Sequence, residues 1–82
     1  MKYSVYTTKT CPRCEQLKSE MRRRGIEFEV LDMATPEALT ELRVNGVFTL
    51  SAPVLQVDDR FYTLEDLFEG DSIKDLGSVL KA

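Results

Sequence analysis

The chain has 82 residues, of which 43% are hydrophobic and 30% charged, and it carries a net charge of −3 at pH 7. That length sets one compact domain over residues 1–82, burying somewhat more than ~60% of its unfolded surface, and excludes a second. No apolar run approaches the ~18 residues of a membrane span, and the acidic balance argues against nucleic acid as the main partner. The opening Met1-Lys2-Tyr3-Ser4-Val5-Tyr6 has neither the apolar region nor the cleavage site of a signal peptide, so a cytoplasmic location is expected. Charge is uneven: residues 1–34 carry seven Lys/Arg against five Asp/Glu, and residues 35–82 four against nine. A positive first half favours an anionic substrate.

Lys2-Tyr3-Ser4-Val5-Tyr6-Thr7 is aromatic, β-branched and alternating, which predicts a strand. After Thr8-Lys9-Thr10, Cys11-Pro12 marks a helix start, because proline has no N–H to lose in a first turn. Leu17 and Met21 give that helix an apolar face, and Gly25 stops it after Arg22-Arg23-Arg24, a run read as a solvated helix end rather than a docking patch. Ile26 to Leu31 alternates apolar and charged residues and reads as a second strand. Thr35-Pro36 opens a second helix, with Leu39 and Leu42 inward and Gly46 closing it. Val47 to Ala52 reads as loop.

From Pro53 the pattern is a hairpin: Val54-Leu55-Gln56-Val57, a turn at Asp58-Asp59, then Arg60-Phe61-Tyr62-Thr63. Thr63-Leu64-Glu65-Asp66 has the form of a capping box starting a short helix that ends near Gly70. Asp71 or Ser72 is then read as capping a last helical piece through Ile73, Leu76 and Leu80. Phe28, Leu31, Leu39, Leu42, Val54, Leu55, Val57, Leu67 and Leu80 are the expected core, and Tyr6 is read as core or groove lining. The main order is β-α-β-α-β-β-α, an α/β fold with a four-stranded mixed sheet whose β-α-β opening implies a right-handed parallel crossover.

The chain has two cysteines and no histidine. In a reducing compartment, a Cys-x-x-Cys pair points to redox catalysis or metal binding. On a helix, residues three apart share a face with Cβ atoms ~5–6 Å apart, close enough for a disulfide to form and open with little backbone motion. Cys11 stands at the helix N-terminus, where unpaired N–H groups and the dipole favour an anion, and Lys9 and Arg13 add positive charge. Such surroundings bring a thiol from ~8.5 into the ~3.5–7.5 range. Cys14 lies one turn deeper. The reading is therefore a dithiol couple in which Cys11 attacks a substrate disulfide and Cys14 resolves the mixed disulfide. Two thiolates cannot complete a four-ligand zinc site alone. An iron–sulfur cluster shared by a dimer, a metal carrier and a redox sensor that alters a partner's binding stand as alternatives.

Thr10-Cys11-Pro12-Arg13-Cys14 after a first strand resembles the active site of the glutaredoxins, usually Cys-Pro-Tyr-Cys, with Arg13 in place of the tyrosine. Ser51-Ala52-Pro53 falls where that family has Thr-Val-Pro, and the element order is that of the thioredoxin fold in its minimal glutaredoxin form. The resemblance implies that Pro53 is cis and that Ala52 presents its N–H and C=O to substrate. It implies substrate contacts at Lys9, Pro12, Arg13, Glu65 and Asp66 around the catalytic Cys11 and Cys14. No bound cofactor is implied, because the cysteines carry the electrons, and glutathione is the candidate reductant.

Three departures bear on glutathione. The family's Gly-Gly pair, which grips the γ-glutamyl end, is replaced by Tyr62-Thr63. Its basic residue three before the first cysteine is Thr8, with Lys9 two before, and Ala52 replaces a valine. Similar redoxins lacking a full glutathione site draw electrons from a thioredoxin-reductase-type protein and serve ribonucleotide reductase. The expected partners are thus a disulfide-bearing protein, ribonucleotide reductase among them, and one of these donors, with the protein acting as a monomer.

Overall fold

The computed structural model describes residues 2–48, 51–70 and 72–77. In chain order the elements are β1 (Tyr3–Thr7), α1 (Pro12–Arg23), β2 (Glu29–Asp32), α2 (Pro36–Val44), β3 (Val54–Val57), β4 (Arg60–Tyr62), α3 (Leu64–Leu67), β5 (Phe68–Glu69) and β6 (Ser72–Ile73). β1 to β4 form one sheet in the order β2-β1-β3-β4, parallel between β1 and β2 and antiparallel elsewhere.

β1 is central, and Tyr3, Ser4, Val5 and Tyr6 are all buried. Because successive side chains of a strand point to opposite faces, Tyr3 and Val5 pack with Leu17 and Met21 of α1, whereas Tyr6 packs with Ala38 and Leu42 of α2. The two helices therefore cover opposite faces of the sheet. Tyr6 belongs to the core: it is 1% exposed, and its hydroxyl donates to Gln56 Oε1 at 2.9 Å. Burial raises that hydroxyl's pKa, with Glu41 and Glu29 adding to the effect.

Both long helices end in the same way. Gly25 and Gly46 have positive φ, and the next residue's N–H returns to the helix, Ile26 to Met21 O at 3.0 Å and Val47 to Leu42 O at 2.8 Å. Glycine reaches this left-handed conformation without a Cβ penalty, so the expected stops act through a paired C-terminal turn. The arginine run has partners within the chain. Arg23 and Arg24 pair with Glu20, and Arg22 lies over the Phe28 ring at 5.7 Å. Hydrogen bonds from Arg23 and then Arg24 hold the Glu20 carboxyl below its ordinary pKa.

Three readings of the sequence need correction: where the second strand starts, where the short helix ends (at Leu67 and not near Gly70), and the last helical piece. The second strand starts at Glu29, later than the expected Ile26, and it is an edge strand, so Val30 is 48% exposed while Ile26 and Phe28 reach the core ahead of it. The last helical piece is absent from the described residues. Phe68 is extended, Gly70 turns the chain at positive φ, and Ser72–Ile73 pairs antiparallel with Phe68–Glu69. The Lys74 N–H then donates to Leu67 O at 2.8 Å, a cross-hairpin bond in place of a helical one. Leu76 is still buried, at 2% exposure, while Asp71 and Leu80 lie outside the described residues.

Thr35 caps α2 as expected, its hydroxyl accepting the Ala38 N–H at 3.2 Å. Replacing it with alanine leaves that donor without its partner, so Thr35→Ala should lower stability by ~1 kcal/mol. Urea unfolding checks this: the midpoint should fall with an unchanged slope.

Candidate redox site

β1 delivers the chain at Thr7, and three exposed residues, Thr8-Lys9-Thr10, lead to Cys11. Cys11 is the N-cap of α1, extended at φ −146° and ψ 91°, with Pro12 next in the first turn. The Cys14 N–H donates to Cys11 Sγ at 3.1 Å, and the Glu15 N–H to Cys11 O at 3.2 Å. A sulfur thus takes the acceptor place that a Ser or Asp oxygen holds at an ordinary helix start.

The two sulfurs form a disulfide, with Cα atoms 5.2 Å apart, inside the usual span for such a bond. Their surroundings differ. Cys14 is 1% exposed and shares the inward face of α1 with Leu17 and Met21, whereas Cys11 is partly exposed. An incoming thiol or disulfide therefore meets Cys11 first. A negative charge on that sulfur would face the helix N-terminus, a charge-assisted arrangement of the kind that lowers thiol pKa values.

The Ala52–Pro53 peptide bond is cis and Pro53 is fully buried. The register Tyr6↔Val54 sets Pro53 beside the end of β1, so the proline loop and the cysteine loop share one end of the sheet. Ala52 is half-buried there.

The other expected site residues are spread around this centre. Arg13 Nε donates to Gly70 O at 3.2 Å, which ties the first turn of α1 to the turn between β5 and β6. This contact spans 57 positions, and no local signal marked Gly70 as its acceptor. Lys9 is exposed in the loop before Cys11. Asp66 completes the cap of α3, where its Oδ2 accepts from the Thr63 N–H at 2.9 Å and from the Thr63 hydroxyl at 3.1 Å. Glu65 is exposed, and its carbonyl accepts from Lys74 Nζ at 2.9 Å.

A cleft of about 640 Å³ runs between α1 and β6, lined by Glu15, Gln16, Ser19, Glu20, Arg23, Ser72 and Ile73, and includes neither cysteine. Among the described residues no group of three or more His, Cys, Asp or Glu side chains is placed to hold a metal ion, and no helix is long and apolar enough to cross a membrane.

The sequence matches the glutaredoxin family over residues 4–62. Similar proteins include the glutaredoxin-like protein NrdH of Escherichia coli K12, 36% identical over 47 residues, a match covering 56% of this chain and 58% of that protein. NrdH of Salmonella typhimurium is 35% identical over 60 residues, 72% of each chain. Among solved structures, the glutaredoxin-like NrdH-redoxin of Escherichia coli superposes with a TM-score of 0.63 at 33% identity, covering 77% of this chain and 82% of that one. A glutaredoxin from Archaeoglobus fulgidus superposes with a TM-score of 0.60 at 22% identity over 76% and 73% of the two chains, which supports the thioredoxin-type fold alone. With the family matched across most of its length, from β1 through β4, and the cysteine pair capping α1, the chain belongs to the glutaredoxin family.

Proposed function

We propose that the protein is a dithiol–disulfide oxidoreductase in which Cys11 is the nucleophile and Cys14 the resolving thiol. The observation that carries this reading is the asymmetry of the pair: Cys11 is accessible and caps α1, while Cys14 is buried one turn deeper. In the reduced protein the Cys11 thiolate attacks one sulfur of a substrate disulfide. The S–S bond breaks, the departing sulfur leaves as a thiolate that takes a proton, and a mixed disulfide forms on Cys11. The Cys14 thiol loses its proton and attacks Cys11 Sγ. The second substrate sulfur leaves as a thiol, and the Cys11–Cys14 disulfide remains. Two electrons pass to the substrate, and no bound cofactor is needed.

Ala52 offers its backbone N–H and C=O to the substrate beside Pro53, and Lys9 adds positive charge on the approach to Cys11. Arg13 acts by holding the first turn of α1 against the β5–β6 hairpin, since its Nε is bonded to Gly70 O. The substrates are disulfide-bearing proteins, ribonucleotide reductase among them.

The electron donor in this reading is a reductase protein of the thioredoxin-reductase kind. Tyr62-Thr63 stands where the family grips the γ-glutamyl group of glutathione, and the Thr63 N–H and hydroxyl are both turned onto Asp66. A tripeptide thiol would have to displace those bonds. In keeping with this, the solved Escherichia coli relative is described as a glutaredoxin-like protein with a thioredoxin-like activity profile.

Cys11→Ser should abolish disulfide reduction, while Cys14→Ser should retain attack and accumulate a mixed disulfide visible by mass spectrometry. Equal loss in both variants with nothing trapped would overturn the role assignment. For the donor, turnover of a small disulfide by the purified protein should be at least about tenfold faster with a thioredoxin reductase than with glutathione and its reductase, a ~1.4 kcal/mol preference. The reverse order would make glutathione the donor.

A further inference from the structure

The helices after β1 and β2 leave the sheet on opposite faces, since α1 packs against Tyr3 and Val5, and α2 against Tyr6. Where neighbouring parallel strands send their chains to opposite faces, a crevice opens outside their carboxyl ends, and ligands of α/β proteins bind in such crevices. Here that crevice is real. A cavity of about 280 Å³ is lined by Thr8 from the β1–α1 loop, Met33 and Ala34 from the β2–α2 loop, and Leu39 from α2.

We propose that this crevice is a substrate subsite that takes one apolar side chain of the polypeptide whose disulfide Cys11 attacks, an inference that rests on the oxidoreductase reading above. Its volume lies just below the ~300–1,000 Å³ of pockets for whole small ligands, which suits a single side chain. Among the described residues its lining is apolar apart from Thr8, with Met33 only 2% exposed and Ala34 exposed. Thr8 is three residues from Cys11, so the two Cα atoms are at most ~11 Å apart. An extended peptide rises ~3.3 Å per residue, which puts a side chain one or two positions from the attacked cysteine within reach.

The walls are preformed. The Met33 N–H donates to Thr7 O at 2.8 Å, locking the two loops together, and the Asp32 carboxylate accepts the Ala34 N–H at 2.9 Å. Little ordering is left to oppose binding. The crevice also lies on the β2 side of the cysteine loop. The Thr63–Asp66 segment follows β4, at the other edge of the sheet, so the crevice is separate from the place where the family grips glutathione.

The test is a single-turnover reaction of the pre-reduced protein, which needs no donor, with two cyclic peptide disulfides. They differ only in carrying Leu or Ser at the two positions on each side of the attacked cysteine. Acid quenching and mass analysis give the second-order rate constant for each. The wild-type protein should prefer the Leu peptide by at least about tenfold, equivalent to ~1.4 kcal/mol and less than full burial of a leucine returns. Ala34→Glu, which sets a charge on the rim, should bring that ratio close to one, and Thr8→Glu, from the opposite wall, should do the same. A wild-type ratio near one, or a preference that survives both substitutions, overturns the subsite while leaving disulfide reduction intact. Failure of the wild-type protein to reduce either peptide or a small disulfide overturns the oxidoreductase reading, and the subsite with it.

Discussion

The inequality of the two cysteines, on which the proposed chemistry turns, depends on where α1 begins. Cys11 is not inside the helix but at its cap, so its sulfur faces the unpaired N–H groups of the first turn, and the Cys14 N–H already reaches it at 3.1 Å. A helix begun one residue earlier would bury Cys11 in the first turn and remove the difference between the two sulfurs. Pro12 works against such a shift: its ring fixes φ, and the residue before a proline is pushed out of the helical region. Cys11 is accordingly extended at φ −146°. One proline therefore sets the electrostatic inequality that separates an attacking thiol from a resolving one.

The sheet brings the other parts to that point. β1 is buried on both faces and ends where the cysteine loop starts, and pairing of Tyr6 with Val54 carries the cis Pro53 to the same end. Parallel β2 brings Met33 there from the other side through its N–H bond to Thr7 O. The cysteine loop, the proline loop and the β2–α2 loop thus gather at one end of the sheet, all anchored to the backbone of one central strand. Arg13 adds a tie to the β5–β6 hairpin, so the redox helix is held at its first turn as well as along its buried face. That anchoring suits a site that must exchange a disulfide for two thiols without losing its shape.

Much of this was legible because its signals are local. Proline after Cys11, threonine before Pro36, and glycines at 25 and 46 each act within a turn or two, and each helix boundary they imply is found. The Asp58-Asp59 turn was readable for the same reason, with Asp58 at positive φ, a conformation that aspartate tolerates. The failure over 72–77 has a physical cause. Ile73, Leu76 and Leu80 have helical spacing, and Leu76 is indeed buried, but the backbone met a better partner when Lys74 N–H reached Leu67 O across the Gly70 turn. Periodicity anticipated the burial of Leu76 but not the hydrogen bonding of the backbone.

At the site, the cysteine pair was plain, whereas contacts made across the fold were not. Arg13 reads from the sequence as a charge near the thiolate, and its Nε also donates to Gly70 O, an acceptor that no spacing rule connects to it. The same holds for the crevice: Thr8, Met33 and Leu39 stand on separate segments and become one wall only when β1 and β2 pair. Asp66 was the more local signal: its Oδ2 accepts from both the Thr63 N–H and the Thr63 hydroxyl, which closes the capping box.

The most direct test of the asymmetry is the order in which the reduced protein's thiols react. Brief treatment with iodoacetamide about two units below the ~8.5 of a free cysteine, followed by peptide mapping, reads the thiolate fraction and accessibility of each sulfur together. Modification is expected at Cys11, with Cys14 untouched. Equal labelling of both, or labelling of Cys14 first, would contradict the asymmetry.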